Sequence, residues 1–217
     1  MTIPVVGLGA GGHAKVVIEI LRLDSRYRLI GLLDPNPEFA NTNVLGVPII
    51  GHDDCLPYLK KQGVDHFFVG LGSVGYMVPR KRLYELGRSM NMTPVDAIHP
   101  RSIVSSSALI GPGVTIGANS IINACAQLGE NVIVNTGAIV EHDCLIGNHV
   151  HVATGAILTS TVVVGDATHI GAGAIIRQCI RIGENVIVGA GAVVVKDVSS
   201  GTVVVGVPAH ELRILGE

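Results

Sequence analysis

Along the second half of the chain one branched apolar residue returns every six positions without a slip: Val104, Ile110, Ile116, Ile122, Leu128, Val134, Val140, Ile146, Val152, Leu158, Val164, Ile170, Ile176, Ile182, Val188 and Val194. A helix would need apolar spacings of three and four. A period of six, with Gly beside the apolar position in "IGPGV", "IGANS", "LGENV" and "IGAGA", predicts short strands separated by tight turns, a β-solenoid. The first hundred residues follow another rhythm. "IPVVGLG", "YRLIGLLD", "VPIIG" and "HFFVGLG" read as strands, and "GHAKVVIEILR" and "PRKRLYELGRSM" as amphipathic helices. Strands alternating with helices predict a small parallel α/β sheet. "TPVDAIHP" carries the chain between the two patterns, which gives an α/β domain over residues 1–98 and a solenoid over 99–217. The C-terminal "VKDVSSGTVVVGVPAHELR" leaves the six-residue register, as a solenoid cap does.

The repeat resembles the hexapeptide-repeat proteins, whose fold is a left-handed parallel β-helix with three hexads to a triangular coil. That resemblance implies an eighteen-residue coil, so residues 18 apart stack. His151 and His169 then share a column, and Ser160 lies one coil beyond His142. Cys125 and Cys179, three coils or about 14 Å apart, are too distant for a disulfide.

Composition agrees with stacked layers of small residues: aromatics are 3%, Trp is absent and Gly is 28 of 217. A formal net charge of −2, with no basic block longer than "PRKR", gives no footprint for nucleic acid or an anionic membrane. No apolar run is long enough to span a membrane and no signal peptide is evident at the N-terminus, so a cytoplasmic protein is expected. The four cysteines lack C-x-x-C spacing and read as small buried hydrophobes.

Two stretches carry chemistry. In "GLGAGGH", Gly7, Gly9 and Gly12 satisfy G-x-G-x-x-G between a strand and a helix, and Asp34 ends the next strand. Such a turn lets backbone amides approach a phosphate at a helix N-terminus, and the carboxylate can accept hydrogen bonds from a ribose or base. Fewer than a hundred residues make one mononucleotide-binding half, so a single nucleotide, bare or carrying another group, fits better than a dinucleotide. Gly72 borders the same strand ends. In "VEHDC", Val140 points inward, which leaves Glu141, His142 and Asp143 in the following turn. An imidazole oriented by a carboxylate is a candidate general base, with Glu141 and Asp143 equal on spacing alone. His151 is a second candidate site residue. The spacings of His142, His149, His151 and His169 do not match the three-His zinc pattern of the gamma carbonic anhydrases, so no metal is expected.

"GAGGH", the hexapeptide array containing "NTGAIVEHDCLIG", and "GVPA" near the end together resemble the sugar acyltransferases of the sialic-acid O-acetyltransferase type. Within them the chain looks most like the bacterial nucleotide-sugar N-acetyltransferases. The resemblance implies a Rossmann-like α/β domain that binds the nucleotide sugar, followed by a left-handed β-helix that binds acetyl-CoA. It implies His142 as base and Asp143 as the acid that serves it, the Ser160 backbone amide facing the thioester carbonyl, and His151, Ala172 and Ala190 as acetyl-CoA contacts. It also implies Gly11, Gly12, His13, Asp34 and Gly72 as nucleotide-sugar contacts, a homotrimer, and no metal. Pro35 stands where some relatives have a second acid. The expected activity is N-acetylation of a nucleotide-linked amino sugar. The alternatives are O-acetylation of a sugar hydroxyl, or a non-catalytic nucleotide-binding scaffold.

Overall fold

The computed structural model describes residues 2–73 and 75–215; Met1, Val74, Gly216 and Glu217, which the expected domain ranges include, lie outside the described residues. The chain divides into two compact units, one running up to Gly72 and resuming over Val78–Ala97, the other made of the segment 73–77 and the chain from Ile98 onward.

In the first unit β1 (Ile3–Leu8), α1 (Gly12–Arg22), β2 (Tyr27–Leu33), β3 (Asn43–Val44), β4 (Val47–Gly51), α2 (Leu56–Lys61), β5 (His66–Val69), α3 (Val78–Ser89) and β6 (Thr93–Pro94) follow one another. The sheet order is β3-β4-β2-β1-β5-β6, parallel at every pairing except β3 with β4. Successive strand residues face opposite sides, so Val5 packs with Val17, Ile18 and Leu21 of α1, while Val6 packs with Leu56, Leu83 and Tyr84 of α2 and α3. Both faces of the sheet are therefore covered, and its strands read as unbroken apolar runs. The short α2 and β6 gave no sequence signal: α2 is one and a half turns long, and β6 is two residues that pair with His66 and Phe67.

The second unit is a hexapeptide-repeat β-helix. Two-residue strands recur from Ile103–Val104 to Val193–Val194, and each up to Ile175–Ile176 pairs in parallel with the strand eighteen residues on, as Ile121 with Ile139, Leu128 with Ile146 and His151 with His169. From Ile116 onward every sixth apolar residue is buried, and Val104 and Ile110, at the start of the array, are half-buried. Each such side chain contributes about 1.5–3 kcal/mol relative to exposure. Between strands the chain turns a corner in which one residue has positive φ, without exception from Gly113 through Asn119, Cys125 and every sixth residue to Gly191. Beyond the repeats Thr202–Val205 continues one sheet in parallel and His210–Ile214 folds back antiparallel upon it.

The cysteines depart from expectation. Cys144 is buried, but Cys125 and Cys179 are exposed and Cys55 is half-buried. Cys125 and Cys179 occupy the positive-φ corner position, where their side chains are directed away from the core.

Candidate functional site

His142 and Asp143 form one such corner, between the strands Ile139–Val140 and Leu145–Ile146. Asp143 has φ 60°, and its carboxylate Oδ2 lies 2.7 Å from His142 Nδ1. Both side chains are about half exposed. With the Nδ1 proton donated to Asp143, Nε2 keeps its lone pair and can accept a proton. Glu141 is used differently: its Oε2 accepts a hydrogen bond from Asn123 Nδ2 at 2.9 Å and another from the His142 N–H at 3.3 Å. The geometry thus separates the two acids that spacing left equal. Asn123 sits one coil before Glu141, and the eighteen-residue spacing would have found it.

Ser160 stacks one coil beyond His142, and the neighbouring Thr161 N–H donates to the His142 carbonyl at 3.0 Å. At comparable corners the preceding side chain accepts the turn amide, as Asn123 Oδ1 does for Ala124 and Asn135 Oδ1 for Thr136. No such bond is made by Thr159, whose hydroxyl donates instead to the Ile176 carbonyl at 2.8 Å. Among the described residues the Ser160 N–H therefore has no protein acceptor and can serve a developing oxyanion. Cys144 is adjacent but inert: burial pushes its thiol up, and Sγ–H donates to the Thr159 carbonyl.

His151 lies on another face of the β-helix and is buried. Its Nδ1 is 2.9 Å from the Ser73 carbonyl, which can only accept, so Nδ1 carries the proton, and Asn135 Nδ2 donates to Nε2 at 3.3 Å. The ring is held at both nitrogens. It meets His169 edge-on, with centroids 4.9 Å apart, and burial lowers the His169 pKa. Both histidines line a cavity of about 570 Å³ with Ala172, Ile187, Ala190 and Arg213. Ala172 and Ala190 are exposed corner residues preceded by Gly171 and Gly189, so among the described residues no side chain caps their amides. The result is a row of open N–H groups beside an apolar wall. Asn135 and Arg213 were not singled out from sequence, and His169 was placed in the His151 column without being given a site role.

In the first unit the turn from β1 to α1 matches expectation in outline. Gly11 is extended and caps α1 without a side-chain hydrogen bond, and no acidic residue stands in the first turn. The helix N-terminus therefore presents amide donors and the positive end of its dipole. Asp34 Oδ2 accepts the Ala10 N–H at 2.7 Å and Oδ1 accepts the Asn36 N–H at 2.9 Å. This carboxylate therefore holds the glycine turn together, and a ligand would share it through the remaining lone pairs. A Cβ on Gly72 would meet His13 Cβ at 3.3 Å, so the backbone there runs close over the turn. Gly11 and Gly12 also line a groove of about 450 Å³ with Lys15, Phe39, Thr42 and Asn43, none of which the sequence pattern had marked. Among the described residues no cluster of His, Cys, Asp or Glu is arranged to hold a metal ion, and no helix is long and apolar enough to cross a membrane.

Residues 5–85 match the family described as the PglD N-terminal domain, 108–141 the hexapeptide repeat of succinyl-transferase, and 161–196 the bacterial transferase hexapeptide (six repeats). PerB from Caulobacter crescentus, solved in complex with CoA and GDP-perosamine, is 40% identical, with 97% of each chain covered and a TM-score of 0.90. A variant of the perosamine N-acetyltransferase of that organism, with the same ligands, is 39% identical over 97% of each chain, with a TM-score of 0.90. The acetyltransferase domain of PglB from Neisseria gonorrhoeae, in complex with acetyl coenzyme A, is 34% identical over 98% of this chain and 100% of that one, with a TM-score of 0.87. Among curated proteins, the redox-sensing transcriptional repressor Rex of Limosilactobacillus reuteri is 28% identical over 105 residues, 48% of this chain and 49% of the repressor. The chain thus spans about half the length of the curated relatives it matches.

Proposed function

Because the chain belongs to the sugar acyltransferases in which a PglD N-terminal domain precedes hexapeptide repeats, we propose that it is an acetyl-CoA-dependent N-acetyltransferase acting on a nucleotide-linked amino sugar of the 4-amino-4,6-dideoxy type. The observation that carries this reading is the likeness, along almost the whole chain, to the enzyme solved with CoA and GDP-perosamine.

In this reading the His142 Nε2 takes a proton from the sugar amine as its nitrogen bonds to the thioester carbonyl carbon. Asp143 holds the Nδ1 proton and stabilises the imidazolium. The Ser160 N–H donates to the oxyanion of the tetrahedral intermediate. Collapse breaks the carbon–sulfur bond, the amide forms, and the proton passes from His142 to the departing thiolate. No residue is acylated.

The β-helix (within 99–217) would hold acetyl-CoA. His151, Ala172 and Ala190 are its proposed contacts, and the open amides and apolar wall suit a pantetheine arm. The α/β domain (1–98) would hold the nucleotide sugar through Gly11, Gly12, His13, Asp34 and Gly72, with phosphate at the start of α1. A homotrimer fits the solenoid face on which Leu109 and Leu145 are exposed at 63% and 43% and line an open groove of about 550 Å³. A reaction that draws on acetyl-CoA belongs in the cytoplasm, and an acetamido sugar nucleotide is a suitable donor for building a polysaccharide.

The test is thiol release from acetyl-CoA with a panel of UDP-, GDP- and dTDP-linked 4-amino sugars and matched 4-hydroxy sugars, with product masses recorded. Acetylation confined to one amino sugar supports the proposal. Acetylation of the hydroxy sugar would replace it with O-acetylation, and turnover with none of them would leave the scaffold reading.

A further inference from the structure

Arg80, in the first turn of α3, is 1% exposed, which makes it the largest buried side chain among the described residues. Its Nη1 donates to the carbonyls of Val69 at 3.0 Å and Leu71 at 2.7 Å, and its Nε is buried without a partner. Among the described residues no carboxylate pairs with it, and desolvation lowers its pKa to about 9, which still leaves it charged at neutral pH. A buried cation held only by neutral dipoles is costly, and an apolar side chain of similar volume is often as good or better for stability. A leucine or methionine there would fill the space without that cost.

What the two hydrogen bonds do is visible in the backbone they hold. Val69 ends β5, and the chain then crosses the β1–α1 turn at contact distance. A Cβ on Gly70 would run into the Gly9 carbonyl, Gly9 has φ 94° with its own Cβ position 3.1 Å from Leu71 N, and a Cβ on Gly72 would meet His13. Gly70 N–H also donates to the Leu8 carbonyl at 2.7 Å. The two segments touch backbone to backbone, so there is no side-chain layer to adjust their separation. Arg80 grips the carbonyls on either side of Gly70 with the two hydrogens of one nitrogen.

We infer that Arg80 is a positioning residue for nucleotide binding, which fixes the Val69–Gly72 backbone against the glycine turn and so sets the opening above the amides that start α1. This rests on the proposed nucleotide-sugar reading of that turn. Arg80 touches no ligand. It acts through Gly72 and His13, and a shift of that wall by a fraction of an ångström changes how a diphosphate sits against the amides.

The experiment is calorimetry on the full chain with UDP, GDP, dTDP and acetyl-CoA as separate probes, together with thermal denaturation. In Arg80→Met, binding of whichever nucleoside diphosphate the unmodified chain takes is expected to weaken by about tenfold or more, with acetyl-CoA binding unchanged and the melting temperature within a few degrees. Arg80→Lys, which keeps the charge and a donor but not the planar fork, is expected to recover part of the loss. Gly72→Ala, which presses on the same approach from the other side, is expected to reproduce it. Undiminished nucleotide binding in Arg80→Met, or equal weakening of nucleotide and acetyl-CoA, overturns the inference. If Arg80→Met does not fold, Arg80→Lys decides: weakened nucleotide binding supports the inference, and undiminished binding overturns it. An unmodified chain that binds acetyl-CoA but none of UDP, GDP and dTDP overturns the nucleotide reading itself, a result distinct from the other outcomes.

Discussion

Two corners of the β-helix share one backbone and differ in everything attached to it. In one the positive-φ residues, after Asn119 in the first coil, are Gly137, Gly155, Gly173 and Gly191, with φ of 66–68°. In the other they are Cys125, Asp143, Thr161 and Cys179, with φ of 58–63°. Both use the same hydrogen bond to the preceding coil: Gly173 N–H donates to Thr154 O at 2.9 Å, and Thr161 N–H to His142 O at 3.0 Å. Space does not explain the glycines, since a Cβ at any of the four would meet nothing within 4 Å. Conformation does: a left-handed residue with a side chain costs about 1–2 kcal/mol, less for Asp and Asn. One corner therefore takes the relaxed solution and becomes a bare edge of amides. The other keeps side chains at that cost, and among them is the carboxylate that meets His142. Where strain is retained against an easy alternative, the side chain is the reason to look for function.

The strongest break in this comparison is His142→Ala. If the side-chain corner exists for proton transfer, kcat falls by about 10²- to 10⁴-fold. Stability should hold, because among the described residues the His142 side chain bonds only to Asp143, and its carbonyl still accepts from Thr161. Steady-state kinetics beside thermal denaturation checks both, and unchanged turnover would remove His142 as the base. Next is Ser160→Pro. Pro112 occupies the same corner position in the hexad beginning at Ile110, ahead of Gly113 with φ 75°, so the backbone accepts a proline there. The substitution deletes the Ser160 N–H and should lower kcat by about 10²- to 10³-fold. Ser160→Gly, which keeps the amide, should stay within a few-fold.

Asp143→Gly converts one residue of the strained corner into its relaxed counterpart. The melting temperature is expected to hold or rise while kcat drops by about ten- to a hundredfold, a fraction of the His142 loss. Glu141→Gln is the control. Its carboxylate faces Asn123 rather than the imidazole, so turnover should change by no more than a few-fold. A larger loss in Glu141→Gln than in Asp143→Gly would reverse the assignment of the two acids.

The corner comparison also explains what could be read in advance. The inward stripe from Val104 to Val194 was legible because burial acts on each side chain separately and repeats with the strand period. The choice between Glu141 and Asp143 was not, because it depends on the left-handed twist at 143 and on Asn123 a full coil earlier. The corner column itself had a signal, Gly or Asn at positions such as 113, 119, 131, 137 and 155, but Cys125, Thr161 and Cys179 obscure it and led the cysteines to be read as buried. In the α/β unit the glycine turn and Asp34 were visible as a motif. Arg80 was not, since "PRKR" reads as a solvated basic run and only the fold turns one of its members inward.

The smallest effect tests the premise of the comparison rather than the chemistry. Thr161 is β-branched at φ 62°, an outlying conformation for such a residue, and its side chain is exposed. Relief of about 1–2 kcal/mol of strain, less the greater backbone entropy that glycine gives up on folding, leaves Thr161→Gly more stable by about 1 kcal/mol. For a chain of this length that is a rise of about 2–4 °C in melting temperature. The reverse exchange, Gly155→Thr, should lower it by a similar amount even though a Cβ there has open space. A fall in Thr161→Gly would mean that the side-chain corner is not strained, and the case for reading Asp143 as a residue retained for function would then rest on its 2.7 Å contact with His142 alone.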